Sequence, residues 1–577
     1  MTIENQEHIL RPYAARTAAW RTSASAMYPY AARGRKTADR KAKTEGSMFD
    51  TIIKGAQIID GTGAPSFRAD LAIRDGKLTL LPGGSEGLEA ATVIDAAGLC
   101  VCPGFIDAHS HGDILVGTDF SRLCKSSQGI TTEVCGQCGS TYFPILPESD
   151  VYGEDLSTYP SLGSIAPELT RSFAGYRRYL ESRPKTANIK QLVGDNMLRR
   201  SVMGSADRSP TVAELDRMKG LLRECMEEGA MGFSTGLVYP PSGYADEYEV
   251  TELCKVLEPF HGIYTTHMRN EGGRVVESVA ESIRTARNAG VRLDISHHKI
   301  CGKSNWGKSQ QTLALIDEAI AAGQEVALDV YPYTAAQTDL SVCLPLEELQ
   351  YPLEERMARL RDKDIRTDIE ARMKVFDGKY TQLGGLGSIL LPCCPVTSWY
   401  DGKTIGEIAE ESGKREFDVF FDLLLENRFM IRAIFASMCE EDLCRIFMHE
   451  HAMVGSDGVV TGLDRPTHPR GFGTFPRAIH YFVREKKLLT LEEAIRKMTS
   501  FTAEWLMLDG KGVIRDGYDA DLVLFDPETI AEGNSYLDSL KTAVGIRSVF
   551  VDGKIVYQDG ALTGVCPGRV VLHGNAR

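Results

Sequence analysis

From residue 104 to residue 458 the chain repeats one texture eight times: a short apolar run that ends on polar or glycine-containing positions. The runs are GFIDAHSH (104–111), ITTEVCGQCG (130–139), NIKQLVGDN (188–196), GAMGFSTG (229–236), GIYTTHM (262–268), VRLDISHHK (291–299), EVALDVYPY (325–333) and HAMVGSDG (451–458). Helical patterns lie between them. In RVVESVAESIRTARNAG, Val275, Val279 and Ile283 share one face and Gly290 supplies a C-terminal stop. Eight β/α units predict a distorted TIM (β/α)8 barrel, whose chemistry sits at the C-terminal ends of its strands; a doubly wound sheet is the alternative. The stretch 340–450 is too long for one connection. It predicts an insertion with extra helices, LEERMARLRDKDIRTDIEARM (353–373) among them.

The flanks have a different texture. Short alternating strands with Asp-Gly turns fill DTIIKGAQIIDGTG (50–63), ADLAIRDGKLTLL (69–81) and ATVIDAAGLCVCPG (91–104), and return in GVIRDGYDADLVLFD (512–526) and IRSVFVDGKIVYQDG (546–560). A small β-sandwich domain built from both chain ends is therefore expected, from residues 48–102 and 513–577, with the catalytic barrel spanning 103–512. Residues 1–47 are rich in Arg, Ala and Ser, hold few acids and lack apolar periodicity. They are expected to be a disordered extension.

The 577 residues carry a formal net charge of −14, which argues against a nucleic-acid partner, and no apolar run reaches the length of a membrane span. Fourteen scattered cysteines in so long a chain are not a disulfide framework. They fit a reducing, cytoplasmic compartment in which individual thiols are free to act as ligands.

Polar residues with metal-binding chemistry stand where the strands end. His109 and His111 close the first, Cys135 or Cys138 the second, His267 the fifth, His297 the sixth and Asp457 the eighth. An H-x-H pair is weak by itself, yet on a strand residues i and i+2 face the same way. His267 and His297 are 30 residues apart, about one unit of a ~250-residue, eight-fold barrel. In such a barrel these side chains converge, and His and Cys ligands with a carboxylate and an open position describe a catalytic zinc site. A carboxylate at Asp457 can also shuttle a proton. Arg470, in HPRGFGTFPRAI (468–479), is placed to pair with a substrate carboxylate. Lys299 can add a second positive charge, and Tyr331 or Tyr333 a hydroxyl donor.

Together, GFIDAHSH, GITTEVCGQCG, THMRNE, DISHHK, DVYPYTA, VGSDG, HPRGFGTFPR and the closing GVIRDGYDADLVLFDP with GALTGVCPGRV resemble the amidohydrolase superfamily and, within it, the D-aminoacylases (N-acyl-D-amino-acid deacylases). The resemblance runs from about Met48 to the C-terminus. It implies that Cys138, in GQCG, is a bridging ligand and Cys135 is not. It implies one tight zinc on Cys138, His267 and His297, and a second, weaker site on His109, His111, Cys138 and Asp457. It also implies that Arg470, Lys299 and Tyr333 hold the carboxylate of a small-molecule substrate. Strand four holds no lysine, which agrees with a cysteine in the bridging position. Two positions depart from the family pattern: Asp195 stands where a histidine is common, and Asp339 where a small hydroxyl would contact substrate. An acid at 339 disfavours a second carboxylate on the substrate.

The activity implied is zinc-dependent hydrolysis of the N-acyl amide of N-acyl-D-amino acids, with Asp457 as base and then acid. The alternative is a cyclic amidase of the hydantoinase or dihydroorotase type. A non-catalytic scaffold on this fold is disfavoured, because all six ligand positions are filled.

Overall fold

The computed structural model describes residues 48–149, 151 and 162–574; the N-terminal extension expected at 1–47 lies outside them. The strands of the two chain flanks pair in one nine-stranded sheet. Its order runs Ala561–Leu562, Lys554–Gln558, Ile546–Val551, Leu522–Phe525, Cys100–Pro103, Phe49–Ile58, Phe67–Arg74, Lys77–Leu81, with Ala90–Asp95 also on Phe49–Ile58. Cys100–Pro103 and Leu522–Phe525 run antiparallel and join the two ends of the chain. The two-residue period of a strand divides their side chains. Val101, Leu522 and Leu524 pack with Ile53, Leu71 and Phe550 in a cluster of the sheet's own. Cys100, Cys102, Val523 and Phe525 turn the other way and join the main core with Phe105 and Ile130.

All eight apolar runs form strands: β1 (Phe105–Asp107), β2 (Ile130–Cys135), β3 (Asn188–Gln191, resuming at Val193–Gly194), β4 (Gly232–Gly236), β5 (Ile263–His267), β6 (Arg292–Ile295), β7 (Val326–Val330) and β8 (Ala452–Val454). Each neighbouring pair from β1 to β7 is parallel, and β8 is parallel to β7. β3 is interrupted at Leu192: its first part pairs with β2 and its second with β4. The ends of β8 and β1 are tied by Ala108 N–H donating to Val454 O at 3.2 Å and Asp457 N–H donating to His109 O at 2.7 Å.

Alternation again assigns the faces. Tyr264, Leu293, Leu328 and Val454 pack with the helices, including Val275, Val279 and Ile283 of the helix Val275–Ala289, which ends at Gly290 as the sequence predicts. On the other face Ile106, Met231, Ile263, Ala327 and Met453 meet Trp505, Leu506 and Leu508 in an apolar floor. Thr265, Asp294 and Asp329 follow two residues along their strands or lie at the same level, all fully buried, and form a polar layer above that floor.

Between β7 and β8 the chain forms a unit with its own core. Its four-stranded sheet runs Ala336–Asp339, Arg432–Phe435, Leu390–Cys393, Lys403–Thr404. Leu340, Ile369, Leu391, Phe420, Leu424 and Phe435 are buried together there. The expected helical stretch 353–373 is two helices, Leu353–Arg361 and Lys363–Val375. They are divided at Asp362, whose carboxylate accepts from Asp364 and Ile365 N–H and caps the second. Among the described residues no helix is long and apolar enough to cross a membrane.

Backbone closeness matters where β4 ends. A Cβ on Gly236 would stand 2.2 Å from Cys138 O, so only glycine lets the loop after β2 lie across this strand. Gly236→Ala is therefore expected to cost about 1–3 kcal/mol of stability through overpacking. The urea midpoint of the variant checks this, and an unchanged midpoint would mean that the Cys138 loop yields freely.

Candidate active site

The ends of five strands bring together six side chains that could hold a metal ion. His109 and His111 leave β1 on one side, with ring centroids 5.6 Å apart. Cys138 follows β2, and its Sγ lies 3.3 Å from Nε2 of His109 and 3.3 Å from Nε2 of His297. His267 ends β5, and its ring meets that of His297 edge-on at 4.5 Å. Asp457, beyond β8, places Oδ1 3.2 Å from His111 Nε2 and 3.8 Å from His109 Nε2. Two clusters result, His109–His111–Cys138–Asp457 and Cys138–His267–His297, each with its ligand atoms within 4.8 Å of one another; Cys138 belongs to both. Cys135 belongs to neither.

Three of the six adopt left-handed backbone: Cys138 at φ 54°, His297 at 37° and Asp457 at 49°. For residues other than glycine this costs about 1–3 kcal/mol each, and such strain gathers at functional sites. The three stand where the chain leaves regular strand geometry, Asp457 in one cluster, His297 in the other and Cys138 in both.

The electrostatics suit a cation. Burial alone would raise the Cys138 thiol, but the imidazoles of His109 and His297 outweigh it and hold the group well below the ordinary thiol range. Burial would likewise raise Asp457; the Arg470 guanidinium and the His111 hydrogen bond keep it well below the ordinary carboxylate value. His267 is pushed down by burial, toward the neutral imidazole that binds metal, and its buried Nδ1 has no hydrogen-bond partner among the described residues. Imidazole, thiolate and carboxylate together are the donor set that zinc accepts, so these residues fit that ion.

Two acids that the sequence analysis passed over support the ligands. Asp329, in the middle of apolar β7, has Oδ2 3.0 Å from His109 Nδ1, and its Oδ1 accepts from the backbone N–H of His297 at 2.9 Å. That contact turns Nε2 of His109 toward Cys138, the orientation that a carboxylate behind a metal-binding histidine usually secures. A carboxylate embedded in VALDVY was the available signal. Glu271, from THMRNE, lies 3.3 Å from His297 Nδ1 and 2.5 Å from Lys299 Nζ. Beside Asp329, Asp294 has no hydrogen-bond partner for either oxygen among the described residues, and burial with the Asp329 charge pushes it well above the ordinary value, into the protonated form.

The expected substrate residues lie around the same site. Arg470 is 2% exposed, at the start of the helix Arg470–Ile479 and not on an exposed loop. Its Nη1 is 2.8 Å from Asp457 Oδ2 and its Nη2 donates to Gln337 O. Lys299 is buried, with Nζ 2.7 Å from His297 Nδ1. Tyr331 lies between these cations, its ring 4.8 Å from the Arg470 guanidinium and 5.7 Å from Lys299 Nζ. Tyr333 is set apart, its ring 5.1 Å from the Arg477 guanidinium and edge-on to His468. Asp195 is buried behind the site, accepting from Ser242 Oγ at 2.6 Å. Asp339 is half exposed, 3.7 Å from Arg432 Nε, so its charge is partly answered.

Residues 92–373 and 448–557 match the amidohydrolase family. The chain is 35% identical over 530 residues to a D-aminoacylase of Alcaligenes xylosoxydans xylosoxydans, covering 92% of this chain and 99% of the relative. It is 35% identical over 538 residues to an N-acyl-D-aspartate deacylase of the same organism, covering 92% and 96%. Among solved structures, N-acyl-D-glutamate deacylase of Bordetella bronchiseptica, complexed with zinc and a phosphonate inhibitor that mimics the reaction's tetrahedral intermediate, gives a TM-score of 0.78 at 34% identity, covering 92% of this chain and 100% of that one.

Because Asp329 serves both clusters, Asp329→Asn is expected to weaken metal binding at both by about 10–100-fold. Competition with a chromophoric chelator measures this, and undiminished competition would remove Asp329 from its supporting part.

Proposed function

The chain belongs to the amidohydrolase family and, within it, to the D-aminoacylases; on that footing we propose that it hydrolyses the acyl amide of N-acyl-D-amino acids to a carboxylate and a free D-amino acid. What supports this most is the shared position of Cys138 in two ligand clusters, beside a buried Arg470 with donor capacity to spare. Zinc would be held tightly by Cys138, His267 and His297, and a second ion more weakly by His109, His111, Cys138 and Asp457. When bound, zinc supplies Lewis acidity, polarising a carbonyl and bringing the pKa of water toward 7.

The protein's own groups do the rest. Arg470 and His111 hold Asp457 ionised, ready to take a proton from the attacking water and return it to the leaving nitrogen. Nε of Arg470 and the hydroxyl of Tyr331 are buried donors with no partner among the described residues. A buried donor left unmatched is costly, and the acceptor that suits two of them beside a lysine is a carboxylate without a proton of its own. The substrate's α-carboxylate would lie there, with Lys299 contributing charge. We assign the hydroxyl to Tyr331 in preference to Tyr333, which the family resemblance favours and whose hydroxyl is also buried without a partner among the described residues, because the Tyr331 ring lies near both Lys299 and Arg470.

We read the eight parallel strands as one distorted TIM barrel closed between β8 and β1, supported by the hydrogen bonds that join their ends. The nine flanking strands are read as a β-sandwich around Ile53, Val101 and Phe550, in the division 48–102 with 513–577, and residues 340–450 as an insertion into the catalytic domain 103–512. A cytoplasmic location is consistent with fourteen unpaired cysteines.

Zinc-loaded protein given matched N-acetyl-D- and N-acetyl-L-amino acids (Met, Leu, Phe, Glu) is expected to release free amino acid from the D series alone, and Asp457→Ala to release none. Ring opening of hydantoins without such release would overturn the linear-amide reading in favour of a cyclic amidase. Acidic side chains should rank last if the Asp339 charge reaches the pocket. Tyr331→Phe is expected to lower kcat/KM by roughly 10–100-fold, the worth of a hydrogen bond to a charged group, and Tyr333→Phe to change it little. A loss in Tyr333→Phe with Tyr331→Phe little changed would return the role to Tyr333.

A further inference from the structure

Each ligand group has its own buried charges behind it, and the cluster behind His109, His111 and Asp457 is centred on a lysine that touches none of the ligands. Lys125, on the helix Asp119–Ser126, is 4% exposed. Its Nζ is 2.9 Å from Asp107 Oδ2, 2.6 Å from Ser110 Oγ and 3.0 Å from Glu133 Oε2. Each of those partners holds backbone next to a ligand. Asp107 accepts from the N–H of Ser456 at 2.7 Å, from Ser456 Oγ at 2.6 Å and from the N–H of His109 at 3.3 Å. Ser110, between the two histidines, donates to Glu133 at 2.6 Å and accepts from Gly112 N–H at 3.0 Å. A Cβ on Gly112 would stand 2.2 Å from Glu133 Oε2, so the backbone just after His111 rests against that carboxylate. Ser456 immediately precedes Asp457. The backbone carrying His109, His111 and Asp457 is thus gripped by one cation and two acids. The supports recorded for His297 are instead Asp329, Glu271 and Lys299.

Stability alone does not account for such a cluster. Removing an ammonium and two carboxylates from water is expensive, and well-packed apolar side chains of similar size often do as well or better. What apolar packing cannot do is hold two backbone segments in one register through directed hydrogen bonds. We propose that Lys125, together with Asp107 and Glu133, is a positioning device for the weaker ligand group His109–His111–Asp457, setting the affinity of the second metal independently of the first. This rests on the two-cluster zinc reading above.

The sign of the effect separates position from charge. Lys125→Met deletes a cation close to a site for a dication, and by Coulomb's law alone that would tighten zinc binding. Loss of positioning weakens it. Lys125→Met combined with Glu133→Gln keeps the net charge of the cluster unchanged and still removes the grip. Metal-free protein, prepared by chelation, would be titrated with zinc against a chromophoric chelator, and its melting followed separately. The wild type is expected to take up two equivalents. Both variants are expected to bind the second equivalent about 10–100-fold more weakly and the first unchanged. Should neither fold, Ser456→Ala, which removes the hydroxyl's bonds to Asp107, His109 O and Gly458 N–H but keeps the backbone N–H bond to Asp107, is expected to weaken the second equivalent in the same direction by less. A second equivalent bound as tightly as in wild type, or more tightly, or an equal loss in both equivalents, overturns the inference while leaving the zinc reading intact. A wild type that binds one equivalent or none overturns that two-cluster reading, and the inference with it.

Discussion

The sulfur of Cys138, 3.3 Å from one imidazole of each ligand group, is the contact on which the arrangement turns. It requires the loop after β2 to cross toward β6, which requires a residue without a side chain at the end of β4 and a left-handed backbone at Cys138 itself. It also requires an anionic sulfur. A buried thiol would ordinarily keep its proton; flanking imidazoles reverse that preference, and the same imidazoles are in turn held by carboxylates. Geometry and charge are therefore solved together: the groups that position the sulfur also ionise it.

The interior beneath is layered. An apolar floor around Trp505 and Leu508 is covered by a polar layer containing Asp294 and Asp329, and only then by the ligands. Charges in that layer cannot be solvated by water, so each has a specific partner or gives up its charge. Asp329 takes the first course through His109 and His297, and Asp294 the second. A rigid, fully buried second tier of this kind holds first-tier ligands more closely than loops in solvent could.

The parts written in the sequence are those that depend on periodicity and on residue type. All eight strands stand where short apolar runs predict them, and His109 and His111 meet as their spacing suggested, although both lie beyond Asp107, where β1 ends. Left-handed φ at Cys138, His297 and Asp457 carries no sequence mark, because residues other than glycine adopt it only under tertiary constraint. Cys135 and Cys138 were indistinguishable by spacing for the same reason. Asp329 and Glu271 act on residues far away in the chain, and their partners are set by which strands become neighbours, not by local pattern. The break in 353–373 was visible as an Asp that can cap a helix, but helical propensity ran through it unmarked. Tyr331 and Tyr333 have the spacing of one strand face but lie beyond the end of β7, and only the positions of Arg470 and Arg477 tell them apart.

The antiparallel pairing of Cys100–Pro103 with Leu522–Phe525 has a consequence for how the molecule is made. The strand that leads straight into β1, and so into His109 and His111, pairs on one edge with Phe49–Ile58 and on the other with a strand more than four hundred residues further on. During synthesis the first edge can be paired early, while the second waits for nearly the whole chain. Contacts of such sequence separation are slow to form. Asp457, whose N–H ties directly to His109 O, itself comes about four-fifths of the way along the chain. The complete set of six side chains is therefore available only late in synthesis.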